Sequence, residues 1–268
     1  MRRWIVILMV MSIEIVASEK IVDIKTLTLT ISQTSLNRDS NSTIKVEATY
    51  SDQTTQDVTN QIEWVIDNKD AVEIQDHTLT AKKDINTTLK AKLDNLTSNT
   101  VTLNIYWEID GHTLPPEPNK AINNSTLLGI DVNHNGVRDD VERYIYQRFG
   151  ENPEYPRTKI VIAMQYAQAT QKILETPTIE SKKYLDDSLG CESYWIDTKT
   201  KTMSGLDYVK FSEKHKVFND VNLKDMFLNT KSRILQKFKF NKACSGHIFN
   251  GRKASLKNCQ TNIDLIGE

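Results

Sequence analysis

Six residues of this chain are spaced so that they could hold a metal ion: Asp131, Asn133, Asn135, Val137, Asp139 and Glu142. They fall at positions 1, 3, 5, 7, 9 and 12 of Asp131-Val-Asn-His-Asn-Gly-Val-Arg-Asp-Asp-Val-Glu142, which satisfies D-x-[DN]-x-[DN]-G-x5-E. All the donors are oxygen: carboxylates, side-chain amides and, at Val137, the backbone carbonyl. A hard cation that takes six to eight oxygen ligands is the expected guest, so the loop is read as a Ca2+ site. Gly136 sits where the chain must turn sharply, and glycine adopts the required backbone conformation without strain.

Other chemistry is thinly represented. Cys191 could be drawn with His215 or His247 as a thiol–imidazole pair. Its surroundings, Gly190-Cys-Glu-Ser-Tyr-Trp195, match no nucleophile signature, so a disulfide or buried thiol is the expectation. Cys244-Ser-Gly-His247 offers too few ligands for zinc. Glu142 with Asp139 or Asp140 could act as an acid pair, but the metal reading already uses two of them. The motifs H-E-x-x-H, G-x-S-x-G and the P-loop are not found. No catalytic residue is assigned, and an enzyme is less expected than a binding protein.

These residues are carried by 268 amino acids, enough for about two domains. Charged residues make up 26% with a net charge of −1, a balance that gives no reason to expect a nucleic-acid partner. Residues 1–18 read as a signal peptide. Arg2 and Arg3 precede an apolar run from Trp4 to Ile13, and Val16-Ala-Ser18 provides a cleavage site. The run is too short to span a bilayer, and no transmembrane span is expected in the mature chain. An exported protein, periplasmic, cell-surface or secreted, follows. Export permits disulfides. Three pairings of Cys191, Cys244 and Cys259 are open, with Cys244–Cys259 favoured by proximity in sequence.

Two grammars divide the mature chain into a multidomain β + α protein. From 22 to 106 the pattern has period two. Thr26–Ile31, Thr43–Ala48, Thr88–Leu93 and Thr100–Ile105 alternate polar and apolar residues, and Gln61–Ile66 does so at first. Short strands at this spacing predict a β-sandwich, with Trp64 as its central aromatic. Residues 107–130 form a connector containing the proline-dense Leu114-Pro-Pro-Glu-Pro118.

From 131 to 268 the calcium loop leads into helical periodicity. Val137, Val141, Tyr144, Ile145 and Phe149 share one face, as do Ile160, Ala163, Met164, Ala167 and Leu174 in a helix expected over 156–174. Helices over 178–189, 206–214 and 223–238 complete a bundle. The basic segment Lys231-Ser-Arg-Ile-Leu-Gln-Lys-Phe-Lys-Phe-Asn-Lys242 reads as a solvated face above a core stripe of Ile234, Leu235 and Phe238. Contact with anionic lipid or a polyanionic glycan is the alternative.

The first half resembles the bacterial immunoglobulin-like group 2 domains of intimin- and invasin-like surface proteins. The resemblance rests on Tyr50-Ser-Asp-Gln-Thr-Thr-Gln-Asp-Val-Thr59, Ile62-Glu-Trp64, Ala71-Val-Glu-Ile74, Leu79-Thr-Ala81 and Thr100-Val-Thr-Leu-Asn-Ile105. Lys82-Lys-Asp-Ile85 stands where that family often has glycine. The loop is EF-hand-like but resembles the single loops of dockerins and thrombospondin type 3 repeats, since Arg138 replaces the usual apolar residue at position 8 and no clear helix enters it. Residues 127–145 after a proline-rich lead resemble an arrangement in uncharacterised exported bacterial proteins. The Ig-like resemblance implies a spacer or adhesive module, and the last resemblance carries no activity. The leading reading is a non-enzymatic exported envelope protein in which the sandwich presents a calcium-stabilised helical domain that binds a surface protein or glycan. A hydrolase of envelope polymers, with its site in the helical half, is the alternative.

Overall fold

The structure, a computed structural model, describes residues 22–268; the expected leader at 1–18 lies outside them. The first half is built of β1 (Ile24–Ile31), β2 (Ser35–Asn37), β3 (Asn41–Tyr50), β4 (Thr55–Asp57), β5 (Glu63–Ile66), β6 (Val72–Gln75), β7 (Thr78–Ala81), β8 (Thr87–Leu93), β9 (Leu96–Thr97) and β10 (Val101–Tyr106). One sheet has the order β1-β3-β7-β6 with β4 on β3, and the other β2-β10-β8-β5 with β9 on β8. The pairings are antiparallel except β2 with β10.

Alternation explains the layering. In β1 and β3 the register sets Leu27 opposite Ala48, Leu29 opposite Val46 and Ile31 opposite Ile44, all buried, while the intervening Thr, Lys and Glu side chains face outward or lie only partly covered. Leu89, Ala91, Leu103 and Ile105 of the second sheet join the same core. Each fully buried Leu or Ile contributes about 1.5–3 kcal/mol. Trp64 does not occupy the centre. It packs half-buried at the margin, and aliphatic side chains fill the middle.

Residues 107–130 contain a hairpin, β11 (Glu108–Ile109) with β12 (His112–Thr113), and a short helix, α1 (Lys120–Ser125). The helical region follows with α2 (Asp139–Gly150), α3 (Pro156–Glu175), α4 (Lys182–Thr200), α5 (Gly205–His215), α6 (Val221–Phe227) and α7 (Lys231–Cys244). The expected apolar faces of α2 and α3 are the observed ones: Val137, Val141, Ile145, Phe149, Ile160, Ala163 and Ala167 lie in one core with Trp195, Ile196 and Phe227. Among the described residues no helix is long and apolar enough to cross a membrane.

Three expectations about the helical half are corrected. The segment 223–238 is two helices, because Thr230 starts a new one by accepting the Arg233 N–H at 3.3 Å. The disulfide joins Cys191 to Cys259, leaving Cys244 free. The sequence neighbour Cys244 sits at the end of α7, while Cys191 lies in the core of α4 beneath the C-terminal tail. Ile234, Leu235 and Phe238 are not core residues; they are 40%, 50% and 63% exposed.

Candidate metal centre

The loop is shaped by its own side-chain oxygens. Asp131 accepts the backbone N–H of Gly136 at 2.9 Å and of Asn135 at 3.2 Å. Asn133 Oδ1 also accepts the Asn135 N–H, and Asn135 Oδ1 accepts that of Val137 at 2.8 Å. Asp and Asn favour such local turns because a short polar side chain can replace a backbone acceptor. These bonds gather positions 1, 3 and 5 into one tight turn. His134 and Gly136 both adopt positive φ, 55° and 82°. Val137 anchors the exit of the loop, its side chain buried in the helical core.

Position 12 is the hub. Glu142 is fully buried in α2, and its carboxylate accepts from His112 Nε2 at 2.7 Å, Asn135 Nδ2 at 2.7 Å and Asn133 Nδ2 at 3.1 Å. His112 stands on β12 and stacks on Tyr146 with ring centroids 4.3 Å apart. A residue from the hairpin therefore closes the loop from the sheet side. Nothing local to His112 in the sequence signals this role, since thirty residues separate the partners.

Asp139, at position 9, is fully buried and less well satisfied. Its Oδ1 accepts the Val132 N–H at 3.0 Å, but Oδ2 is buried without a hydrogen-bond partner. Burial raises its pKa. The Val132 N–H pulls the other way, and the charges of Asp131, Glu142 and Asp140 raise it further. A buried carboxylate oxygen lacking a donor costs about 1–3 kcal/mol or more. A cation beside it would remove that cost.

Among the described residues, no group of three or more His, Cys, Asp or Glu side chains is arranged to hold a metal ion. The donors expected from the sequence are carboxylates at 131, 139 and 142, amides at 133 and 135, and a carbonyl at 137. The three carboxylates do not converge as one group, and Asn133 and Asn135 turn Nδ2, not Oδ1, toward Glu142. The orphaned Asp139 oxygen is the feature of this loop that a hard cation would satisfy.

Neighbouring elements hold the loop in place. Gln168 and Gln171 of α3 donate to the carbonyls of Asn135 and Leu128 at 2.8 and 2.7 Å. Their spacing, i and i+3, places both amides on one face of α3, which is the sequence signal for this contact. Arg138 at position 8 is buried, bonded to Asp140 at 2.5 Å and to the Met226 carbonyl at 2.6 Å. Gly129 is required above it: a Cβ there would lie 2.1 Å from Arg138 Cδ, and φ is +73°.

The same stretch ties the two regions together. Arg143, one residue past Glu142, makes a two-pronged pair with Asp84 at 2.5 and 3.0 Å and donates to the Pro115 carbonyl at 2.9 Å. Both side chains are buried. Burial alone would raise the Asp84 pKa, but the Arg143 hydrogen bonds and charge outweigh it and hold the carboxyl below 3.8.

Cys191 is bonded to Cys259 and has no thiol to offer His215 or His247. A cavity of about 330 Å³ opens beside the loop, lined by Asn135, Gln165, Lys172, Asp187 and Asn258 among others, with Asp187 as its one carboxylate. No protein-family model matches the sequence, and no curated protein matches it.

Proposed function

We propose that this chain is an exported, non-enzymatic binding protein of the bacterial envelope or cell surface. In this reading an Ig-like sandwich carries a helical unit, and a structural Ca2+ at 131–142 fixes the junction between them. The observation that carries the reading is the buried, unpartnered Oδ2 of Asp139 among the carboxylates of Asp131, Glu142 and Asp140.

Asp131, Asn133, Asn135, Val137, Asp139 and Glu142 would hold the ion through oxygen. The ion would supply positive charge beside the buried Asp139 carboxylate, which feels the charges of Asp131, Glu142 and Asp140, and would tie the loop to the first turn of α2. A sensor's task needs a pair of helices that open. Here the helix entering the loop is six residues long and the exit is locked by Arg138 and Arg143, so a fixed clasp fits better. The Ig-like reading is supported by the order of the longer strands, β1-β3-β7-β6 in one sheet and β10-β8-β5 in the other; the short β4 adds to the first sheet and the short β2 and β9 to the second. Such a module is generally a spacer or adhesive unit, and the partner would be a surface protein or glycan.

Calorimetric titration of calcium into the exported form, residues 19–268, tests the reading. One ion is expected to bind with a dissociation constant of about 0.1–1 mM, the range of extracellular modules. Asp131→Ala and Glu142→Ala should abolish the heat. An unaltered parent that gives no heat contradicts the calcium reading.

A further inference from the structure

Helix α7 is inside out. It buries Arg233 and Phe240 and exposes Ile234, Leu235 and Phe238. The reason lies in Arg233, whose guanidinium donates to the carbonyls of Asn123, Thr126 and Leu127 and to the side-chain oxygens of Asn124 and Asn229. Five acceptors on one side chain fix the rotation of the helix, and its apolar stripe is left facing outward.

That face has a definite chemistry. At 3.6 residues per turn, Lys231, Leu235, Phe238 and Lys242 follow one line along the helix, with Ile234 on one flank and Lys239 on the other. Lys231 and Lys242 stand about 16 Å apart along the axis, from 1.5 Å of rise per residue. The apolar side chains lie between the two lysines. Helix α7 contains no acidic residue. Beside it a shallow groove of about 480 Å³ is lined by Leu127, Leu235, Gln236, Phe238, Lys239 and Lys242.

We propose that this face of α7 lies on an anionic membrane surface, with Leu235 and Phe238 in the headgroup–acyl boundary and Lys231, Lys239 and Lys242 on lipid phosphates. Charge and apolarity are both used. A polyanionic glycan would gain from the lysines and could stack on the phenyl group, but its hydroxylated rings gain little from the exposed leucyl and isoleucyl groups. A stable protein interface buries about 800 Å² on each partner, more than three half-exposed side chains on one helix supply. A lipid surface demands only an apolar strip flanked by cations. Long lysine side chains reach the headgroups while their stems cover apolar surface. The proposal is separate from the calcium reading, since α7 donates no ligand to the loop.

Vesicle sedimentation tests it, using residues 19–268 with calcium present throughout so that the loop is not a variable. The expected result is binding to phosphatidylcholine vesicles containing phosphatidylglycerol and little binding to phosphatidylcholine alone. Leu235→Ser with Phe238→Ser should weaken binding tenfold or more, and Lys239→Glu with Lys242→Glu should do likewise. All four positions are exposed, and an unchanged circular dichroism spectrum confirms the fold. Parent protein that ignores the anionic vesicles overturns the proposal. Retained binding in the Leu235/Phe238 pair overturns it too, because attraction would then be ionic alone. A parent dimer that the same pair disrupts would assign the face to a second copy instead.

Discussion

The two halves of this molecule bury different things. In the sheet region the buried polar side chains are small and hydroxylic, Ser42, Thr59, Thr87 and Ser98, apart from Asp84, whose carboxylate is covered where it pairs with Arg143 of the helical region. In the helical region they include Arg138, Asp139, Glu142, Arg143, Lys159, Glu192, His215 and Arg233. A pleated sheet pairs its backbone groups strand to strand and can fill its interior with aliphatic carbon. The helical region is bound up with irregular segments, residues 113–138 and the tail after 244, whose carbonyls need donors from elsewhere. Arg233, Gln168 and Gln171 are donors to the first segment and Gln165 to the tail. Buried ionic groups cost desolvation and return little net stability, yet removing one partner alone is expensive. The sheet region is therefore held by packing, and the helical region by packing together with polar contacts that are costly to break singly.

That contrast can be broken by two substitutions of similar volume loss. Arg233→Ala leaves three carbonyls and two amide oxygens without their donor, and it should cost about 3–5 kcal/mol. Leu79→Ala in the sheet core should cost about 2–4 kcal/mol through the cavity alone. Denaturant titration of both measures the difference. An Arg233→Ala cost well below that of Leu79→Ala would mean that packing, not the polar network, holds the helical region.

A smaller effect sharpens the comparison by pH. Burial lifts the Glu192 pKa from 4.5 to about 7, against the N–H groups of Phe218 and Val217 and the charges of Lys216 and Lys224. The folded protein then holds a proton that the unfolded chain releases near 4.5. Stability from this group is full below about 4.5 and falls as pH rises through about 7, by up to about 3 kcal/mol. Glu192→Gln should remove that slope and be more stable than the parent at pH 8. Equal pH profiles for the two proteins would show that the carboxyl is solvated.

Most of the sheet was legible because period two is a local signal: Leu27, Leu29, Ile31, Ile44 and Val46 declare their face within a few residues. Helices α2 and α3 were legible for the same reason at period 3.6. The loop was legible as a motif, and the structure shows it as a tight turn closed by the side-chain oxygens of Asp131, Asn133 and Asn135. What the sequence concealed is non-local. His112 reaches Glu142 from thirty positions away, Cys191 finds Cys259 across sixty-eight, and Arg143 pairs with Asp84 across fifty-nine. The orientation of α7 is the clearest case. Its apolar stripe looked like a core face, but one arginine gripping residues 123–127 turns it outward. Periodicity finds the stripe and cannot say which way it points when a polar anchor decides.

The central claim is that an ion at 131–142 clasps the helical region to the hairpin beside the sheet. Amide hydrogen exchange in calcium and in EDTA tests it most directly. The account predicts slower exchange in calcium for the amides of Asn135, Gly136, Val137 and the first turns of α2, with the strands of the sheet core unchanged. Exchange at 131–145 that is identical in the two conditions would contradict it.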